Sequence, residues 1–299
     1  MQPAPRDDAL RSGFVPGRPR IAYEEVGSGD PVVFLHGIGG NRANWRAQLA
    51  FFGRCYRAVA WDARGYGDSD DYDGPFEFSE VSDDLRRLLD HLAVDRAHLV
   101  GLSMGGRILM DFAVRHPQRI ASLTIAAAFP SFGRALSPAQ QEEFVRLRLA
   151  PVAEGRQFSE MAPALAEALL GPTASPEARE ALRASIESLR AQSYGKAVTA
   201  AVGFDRTASL GSIRAPVQLL CGEHDRLVPP AMMREVQAAI PGARYAILAG
   251  GHLLNLECPG EFNRLVASFI DAQRLRATQP SMSCASPSST PLDPAGPAG

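Results

Sequence analysis

The sequence predicts an α/β protein: a mostly parallel, doubly wound sheet with an inserted helical segment. Three observations carry that prediction. Short, mainly apolar runs at Val32 to Leu35, Tyr56 to Trp61 and Ala97 to Leu102 read as strands buried on both faces, which is the habit of a parallel sheet. Helical stripes fall between these runs, so strand and helix alternate as in βαβ units. Polar residues flanked by glycine cluster just past the strand ends, where an open parallel sheet binds its ligands.

The elements follow in order. Residues 1–12 are polar and expected to be flexible, with order beginning near Gly13. Ile21 to Val26 reads as a strand, stopped by the turn cluster Gly27-Ser28-Gly29-Asp30-Pro31. The Val32 to Leu35 strand closes at His36-Gly37 and leads into a stretch that can be helical to Phe52. Tyr56 to Trp61 ends at Asp62. Val81, Leu85, Leu88, Leu89 and Leu92 then recur at helical spacing, the stripe of a helix packed on a sheet. Ala97 to Leu102 ends at Ser103, and a helix from Met104 to about Arg115 is expected to bury Ile108, Leu109, Phe112 and Ala113. Its Asp111 and Arg115, spaced i, i+4, are expected on the outer side. Leu123 to Ala128 is the next strand.

From Pro130 to about Arg214 the patterning is helical with no convincing strand. This predicts a helical cap over 131–214, inserted into a core formed by 13–130 and 215–278. The alternation resumes with the strand Val217 to Cys221, a helix around Ala231 to Ala239, the strand Tyr245 to Leu248, and a last helix from Glu261 to about Leu275. Residues 279–299 hold five prolines and a single charge, Asp293, and are expected to be a disordered tail.

The 299-residue chain carries 31 Lys and Arg against 33 Asp and Glu, a net charge of -2. It has no basic surplus to neutralise a phosphate backbone, so no nucleic-acid partner is expected. No apolar run approaches the roughly 20 residues of a membrane-spanning helix, so no membrane span is expected. Residues 1–20 are rich in charge and lack the apolar stretch of a secretory signal, which points to the cytoplasm. Cys55, Cys221, Cys258 and Cys284 are widely spaced and far from any histidine grouping, so they read as free thiols rather than metal ligands.

Gly101-Leu102-Ser103-Met104-Gly105 matches G-x-S-x-G and lies between an expected strand and an expected helix, the context the motif requires. A sharp strand-to-helix turn strains the backbone at the serine, and a Cβ at either flanking glycine would clash. Ser103 is therefore the candidate nucleophile. A serine hydroxyl needs a base within hydrogen-bond reach and an acid to orient that base. His252, in Ala249-Gly250-Gly251-His252-Leu253, and Asp225, in Gly222-Glu223-His224-Asp225-Arg226, each follow an expected strand. The order Ser, Asp, His agrees with this use of the fold. Glu223 competes with Asp225, which is preferred because it lies further along the loop over the site. His91, His98, His116 and His224 read as surface or packing residues. Attack on a carbonyl also needs aimed backbone donors. Met104 N–H, at the helix start, supplies one, and Ile38 N–H, in His36-Gly37-Ile38-Gly39-Gly40-Asn41, is assigned the other.

With these residues in place, the sequence resembles the α/β-hydrolase superfamily over roughly residues 20–128 and 215–275. His36-Gly37-x-Gly39 looks like the oxyanion loop of that family, Asp62-Ala63-Arg64-Gly65-Tyr66-Gly67-Asp68-Ser69 like its Asp-x-Arg-Gly-x-Gly-x-Ser segment, and Gly101 to Gly105 like its nucleophile elbow. The resemblance implies the α/β-hydrolase fold, with Asp62 and Arg64 holding loops near the oxyanion side. Gly101 to Gly106, Trp45 after His36, and His252-Leu253-Leu254-Asn255-Leu256-Glu257-x-Pro259-x-x-Phe262-Asn263 look most like 3-oxoadipate enol-lactonases and their carboxylesterase relatives. Haloalkane dehalogenases and epoxide hydrolases carry aspartate where Ser103 stands. Meta-cleavage C–C hydrolases usually place asparagine where this chain has Leu102.

The expected activity is that of a serine hydrolase cleaving a small carboxylic ester or lactone through an acyl-enzyme, a reaction that requires no metal or organic cofactor. Perhydrolase, haloperoxidase or acyltransferase chemistry would use the same triad with another acceptor. A ligand receptor built on a hydrolase pocket is the rival of a different class. The cap holds Arg134, Arg146, Arg148, Arg156, Arg179, Arg183, Arg190, Lys196, Arg206 and Arg214 against nine acidic residues, mostly a solvated helix surface. One or two of these cations, or Arg107, could receive a substrate carboxylate, and sequence does not say which. The oligomeric state is equally open.

Overall fold

A computed structural model describes residues 9–278 of the chain. The expectations for residues 1–8, for the tail 279–299 and for Cys284 lie outside the described residues. Eight strands form one sheet: β1 (Arg11–Val15), β2 (Ile21–Val26), β3 (Pro31–Leu35), β4 (Arg57–Trp61), β5 (Ala97–Leu102), β6 (Ile120–Ala126), β7 (Val217–Gly222) and β8 (Arg244–Leu248). Their spatial order is β1-β2-β4-β3-β5-β6-β7-β8. Only β2 runs against its neighbours; the six strands from β4 to β8 pair in parallel.

The apolar strands alternate strictly between two cores. Val33, Leu35, Val59, Trp61 and Leu99 point to one face, while Val32, Phe34, Ala58, Ala60, Val100 and Leu102 point to the other. This period-2 division explains why the central strands read as continuous apolar runs. The first face is covered by α2 (Phe78–His91), α3 (Met104–Arg115) and α8 (Pro230–Ala239), the second by α1 (Arg46–Phe52) and α10 (Pro259–Thr278). Four helices, α4 (Pro138–Ala153), α5 (Phe158–Leu169), α6 (Pro176–Glu187) and α7 (Ala191–Gly203), lie between β6 and β7, and the short α9 (Leu254–Glu257) precedes α10.

Several boundaries differ from expectation for identifiable reasons. Order does not wait for Gly13, because Arg11 already pairs with Glu25 in β1. The stretch before Phe52 begins as a 3-10 turn, Arg42–Trp45, capped by the Asn41 side chain. Strand β6 ends at Ala126, since Ala127 turns the chain with φ 48°. Asp111 is not on an outer face: it is fully buried, accepting from Ser82 Oγ at 2.5 Å and from Arg206 Nε at 2.9 Å. Arg115 approaches it at 3.7 Å, but the partner the i, i+4 argument could not see is Arg206, just past α7.

Candidate active site

The candidate nucleophile stands on the turn between β5 and α3. Ser103 has φ 56° and ψ −114°, the strained left-handed conformation that a sharp elbow imposes on a non-glycine residue. Its N–H donates to Ala126 O at 2.9 Å and its C=O accepts from Arg107 N at 3.1 Å, so both sides of the turn are anchored. The flanking glycines are needed for approach. A Cβ on Gly105 would lie 2.2 Å from Leu35 O, and one on Gly101 would lie 2.5 Å from the Gly105 carbonyl carbon.

The candidate base and acid arrive on the loops after β8 and β7. His252 Nδ1 is 2.8 Å from Asp225 Oδ2, and both side chains are buried. Asp225 Oδ1 accepts from the N–H groups of Leu227 and Val228, each at 2.8 Å, which fixes the carboxylate's orientation toward the imidazole. A carboxylate can only accept, so Nδ1 of His252 carries the hydrogen and Nε2 is left with its lone pair. Glu223 and His224, the neighbours in the acid loop, are exposed and turn elsewhere.

Ser103, Met104, Ile38 and His252 line one cavity of about 320 Å³. The loop carrying Ile38 is pressed against the elbow: a Cβ on Gly37 would sit 3.0 Å from Ser103 Cβ. His36 fixes that loop. Its Nε2 accepts from Ala63 N at 3.0 Å, so the hydrogen is on Nδ1, which donates to Gly37 O at 2.8 Å. Complete burial holds its pKa below the ordinary histidine value, which keeps the ring in the neutral form this bridge requires. Asp62 secures the far end of the loop, accepting from Arg42 N at 2.7 Å and Asp68 N at 2.9 Å and pairing with the Arg42 guanidinium. Arg64 behaves differently from its expected role. It reaches α2, bonding Asp84 at 2.7 Å and also Glu80.

Two further sets of contacts hold the loops of the candidate site and belong to none of the sequence motifs. Glu257, in α9, brackets the histidine: its Oε2 accepts from Gly251 N at 2.9 Å and Gly171 N at 2.7 Å, and its Oε1 accepts from Leu253 N at 3.0 Å. His252 N itself donates to Leu169 O at 2.8 Å, at the end of α5. On the other side Ser185 Oγ, in α6, donates to Gly39 O at 2.9 Å. Only the position of Glu257 in the His252 to Asn263 segment hinted at any of this. A carboxylate's backbone partners become visible only when the loops are folded.

The cavity wall is mainly aliphatic and aromatic, with Arg107 and Arg148 its charged residues. A larger cleft of about 870 Å³ lies between α4, α7 and the segment Pro75 to Ser79. Among the described residues it is lined by no histidine, whereas the smaller cavity holds Ser103 and His252 together, so the smaller cavity is the candidate site. Among the described residues no three His, Cys, Asp or Glu side chains gather as a metal centre would need.

A family model described as alpha/beta hydrolase fold matches residues 30–259. The chain is 28% identical over 249 residues to 3-oxoadipate enol-lactonase 2 of Acinetobacter baylyi, covering 82% of this chain and 91% of that protein. Among solved structures, a hydrolase from Pseudomonas aeruginosa PA01 is 30% identical with TM-score 0.78, covering 87% of this chain and 98% of that one. A thermophilic esterase from Thermogutta terrifontis, solved with malate bound, is 26% identical with TM-score 0.79, covering 89% and 99%. The family match spans well over half the chain, and the elbow, the strand order and the flanking helices agree with it: the protein belongs to the α/β-hydrolase fold family.

Proposed function

We propose that this α/β hydrolase cleaves a carboxylic ester or a lactone through an acyl-enzyme. Ser103 Oγ attacks the carbonyl while His252 Nε2 takes its proton; the same imidazole then delivers that proton to the leaving alcohol. Asp225 holds the ring and offsets its charge. Ile38 N–H and Met104 N–H receive the oxyanion, the second from the start of α3, where the helix dipole favours negative charge. Water, activated by His252, then releases the acid. In this reading the four helices between β6 and β7 form a cap that roofs the cavity.

The observation that supports it most is the sharing of one cavity wall by a strained Ser103 and a His252 whose Nδ1 lies 2.8 Å from Asp225. The enol-lactonase and esterase names of the relatives point to the same substrate class. The test is steady-state turnover of p-nitrophenyl butyrate by wild type and by Ser103→Ala. Loss of a triad nucleophile is expected to lower kcat by about 10⁴-fold or more. A single burst without turnover in wild type would overturn the hydrolase reading in favour of a ligand receptor.

A further inference from the structure

Buried guanidinium groups elsewhere in this fold are matched by carboxylates. Arg64 has Asp84 and Glu80, and Arg42 has Asp62, Glu24 and Asp68. Of the cations in the helical insert, Arg146, Arg179, Arg183, Arg190 and Arg206 also have acidic partners. Arg107 does not. It lies one helical turn after Ser103 on α3, is 5% exposed, and lines the same cavity. Its guanidinium stands 4.5 Å from the Phe129 ring centroid, 4.6 Å from Phe132 and 5.8 Å from Phe204. Nη1 donates to Ala201 O. Among the described residues no acid neutralises it, and none offers an acceptor to Nε or Nη2.

Rings and one carbonyl compensate only part of the cost of burying a cation. Desolvation accordingly pulls the Arg107 pKa down to about 9. The cavity has a second unmatched cation. Arg148, half-buried, lies 3.3 Å over the Phe144 ring and lines the same space without an acidic partner among the described residues. Among the described residues no aspartate or glutamate lines this cavity.

We propose that Arg107, seconded by Arg148, receives a carboxylate of the substrate, so that the preferred ester or lactone carries a free acid group besides the bond that is cleaved. The proposal rests on the serine-hydrolase reading for the bond and on the unmatched guanidinium for the acid. A planar fork with two free N–H edges suits a carboxylate, and the aromatic wall around it excludes the water that would otherwise compete.

The experiment compares kcat/KM for mono-4-nitrophenyl glutarate with that for the neutral 4-nitrophenyl hexanoate, in wild type, Arg107→Met, Arg107→Lys and Arg148→Gln. Hydrogen bonds to a charged group in a dry site correspond to about ten- to a hundredfold. Wild type is therefore expected to favour the half-ester by about tenfold or more. Arg107→Met is expected to lower that ratio by a similar factor through KM, with Arg107→Lys in between. A wild-type ratio below one, or a ratio unmoved by Arg107→Met, would overturn the proposal. If Arg107→Met does not fold, the wild-type ratio and a fall of at least threefold in Arg148→Gln decide it; an unmoved ratio there counts against it. Glutarate binding by calorimetry separates the two readings. Binding weakened about tenfold in Arg107→Lys, with neither ester turned over by wild type, sustains the acid subsite while the hydrolase reading fails. No glutarate binding at millimolar concentration overturns the subsite.

Discussion

Ser103 holds a conformation that costs a non-glycine residue about 1–3 kcal/mol, and its surroundings over-determine it through Ala126 O, Gly101 and Gly105. At the same scale, His98 is the residue whose chemistry stability experiments will see. It sits buried in β5 with Nδ1 2.8 Å from Ser122 Oγ, and burial holds its pKa down to about 4. The unfolded chain takes up that proton near the ordinary value of about 6.5. Between those two values the unfolded state binds more protons, so stability is full above about pH 6.5 and is lost as pH falls toward about 4. Buried His36 acts in the same direction. Urea unfolding at pH 7 and pH 5 is expected to differ by about 2 kcal/mol on account of His98, and the difference should shrink in His98→Gln. An equal drop in both proteins would rule this account out. The residues that bear the proposed chemistry were legible because Ser103, Asp225 and His252 each follow a strand end in the right order. Arg107 was not: a cation becomes informative only when the acids that could have matched it are seen to be elsewhere.

At the scale of elements, the central strands were legible because both faces are buried and the apolar runs leave little ambiguity. Leu99 is fully buried in β5 beneath α2 and α3, and Leu99→Ala is expected to destabilise by about 3 kcal/mol through lost burial and the cavity left behind. A loss below about 1 kcal/mol in urea titration would mean that the sheet collapses around the gap. Strand β1 escaped notice because Arg11-Ser12-Gly13-Phe14 is an exposed edge that buries only Val15 well; pairing with β2, not hydrophobic pattern, forms it. The short α9 has too few residues for any period, yet it supplies Glu257. Glu257→Gln keeps one acceptor oxygen but cannot serve all three N–H groups around His252. We expect kcat to fall about tenfold with KM within about threefold, because a loosened base misplaces the proton transfer without touching the cavity. Stopped-flow acylation and steady-state rates check this, and a kcat within twofold of wild type would rule Glu257 out as a positioning residue.

For the whole molecule, the helical character of 131–214 was visible in composition and spacing, but its attachments were not. Its side-chain cations are part of the attachment, Arg206 to Asp111 and Arg190 to Asp71, but the contacts nearest the candidate site use backbone or hydroxyl groups of the insert: Leu169 O to His252 N, Gly171 N to Glu257, Ser185 Oγ to Gly39 O, and Arg226 Nη2 to Glu167 O at 2.6 Å. Backbone atoms are chemically alike in every sequence, so no motif announces which of them will be used. The helices are thus tied to both halves of the candidate machinery, the histidine loop and the loop of Ile38. A segment joined to its host only at its two chain ends could be traded between relatives like a cartridge, carrying substrate preference with it. This one could not, since a donor segment that fails to present a carbonyl at the position of Leu169 and an amide at that of Gly171 would leave the loop of His252, the candidate base, unmoored, and the insert and the candidate site's geometry would have to be exchanged together.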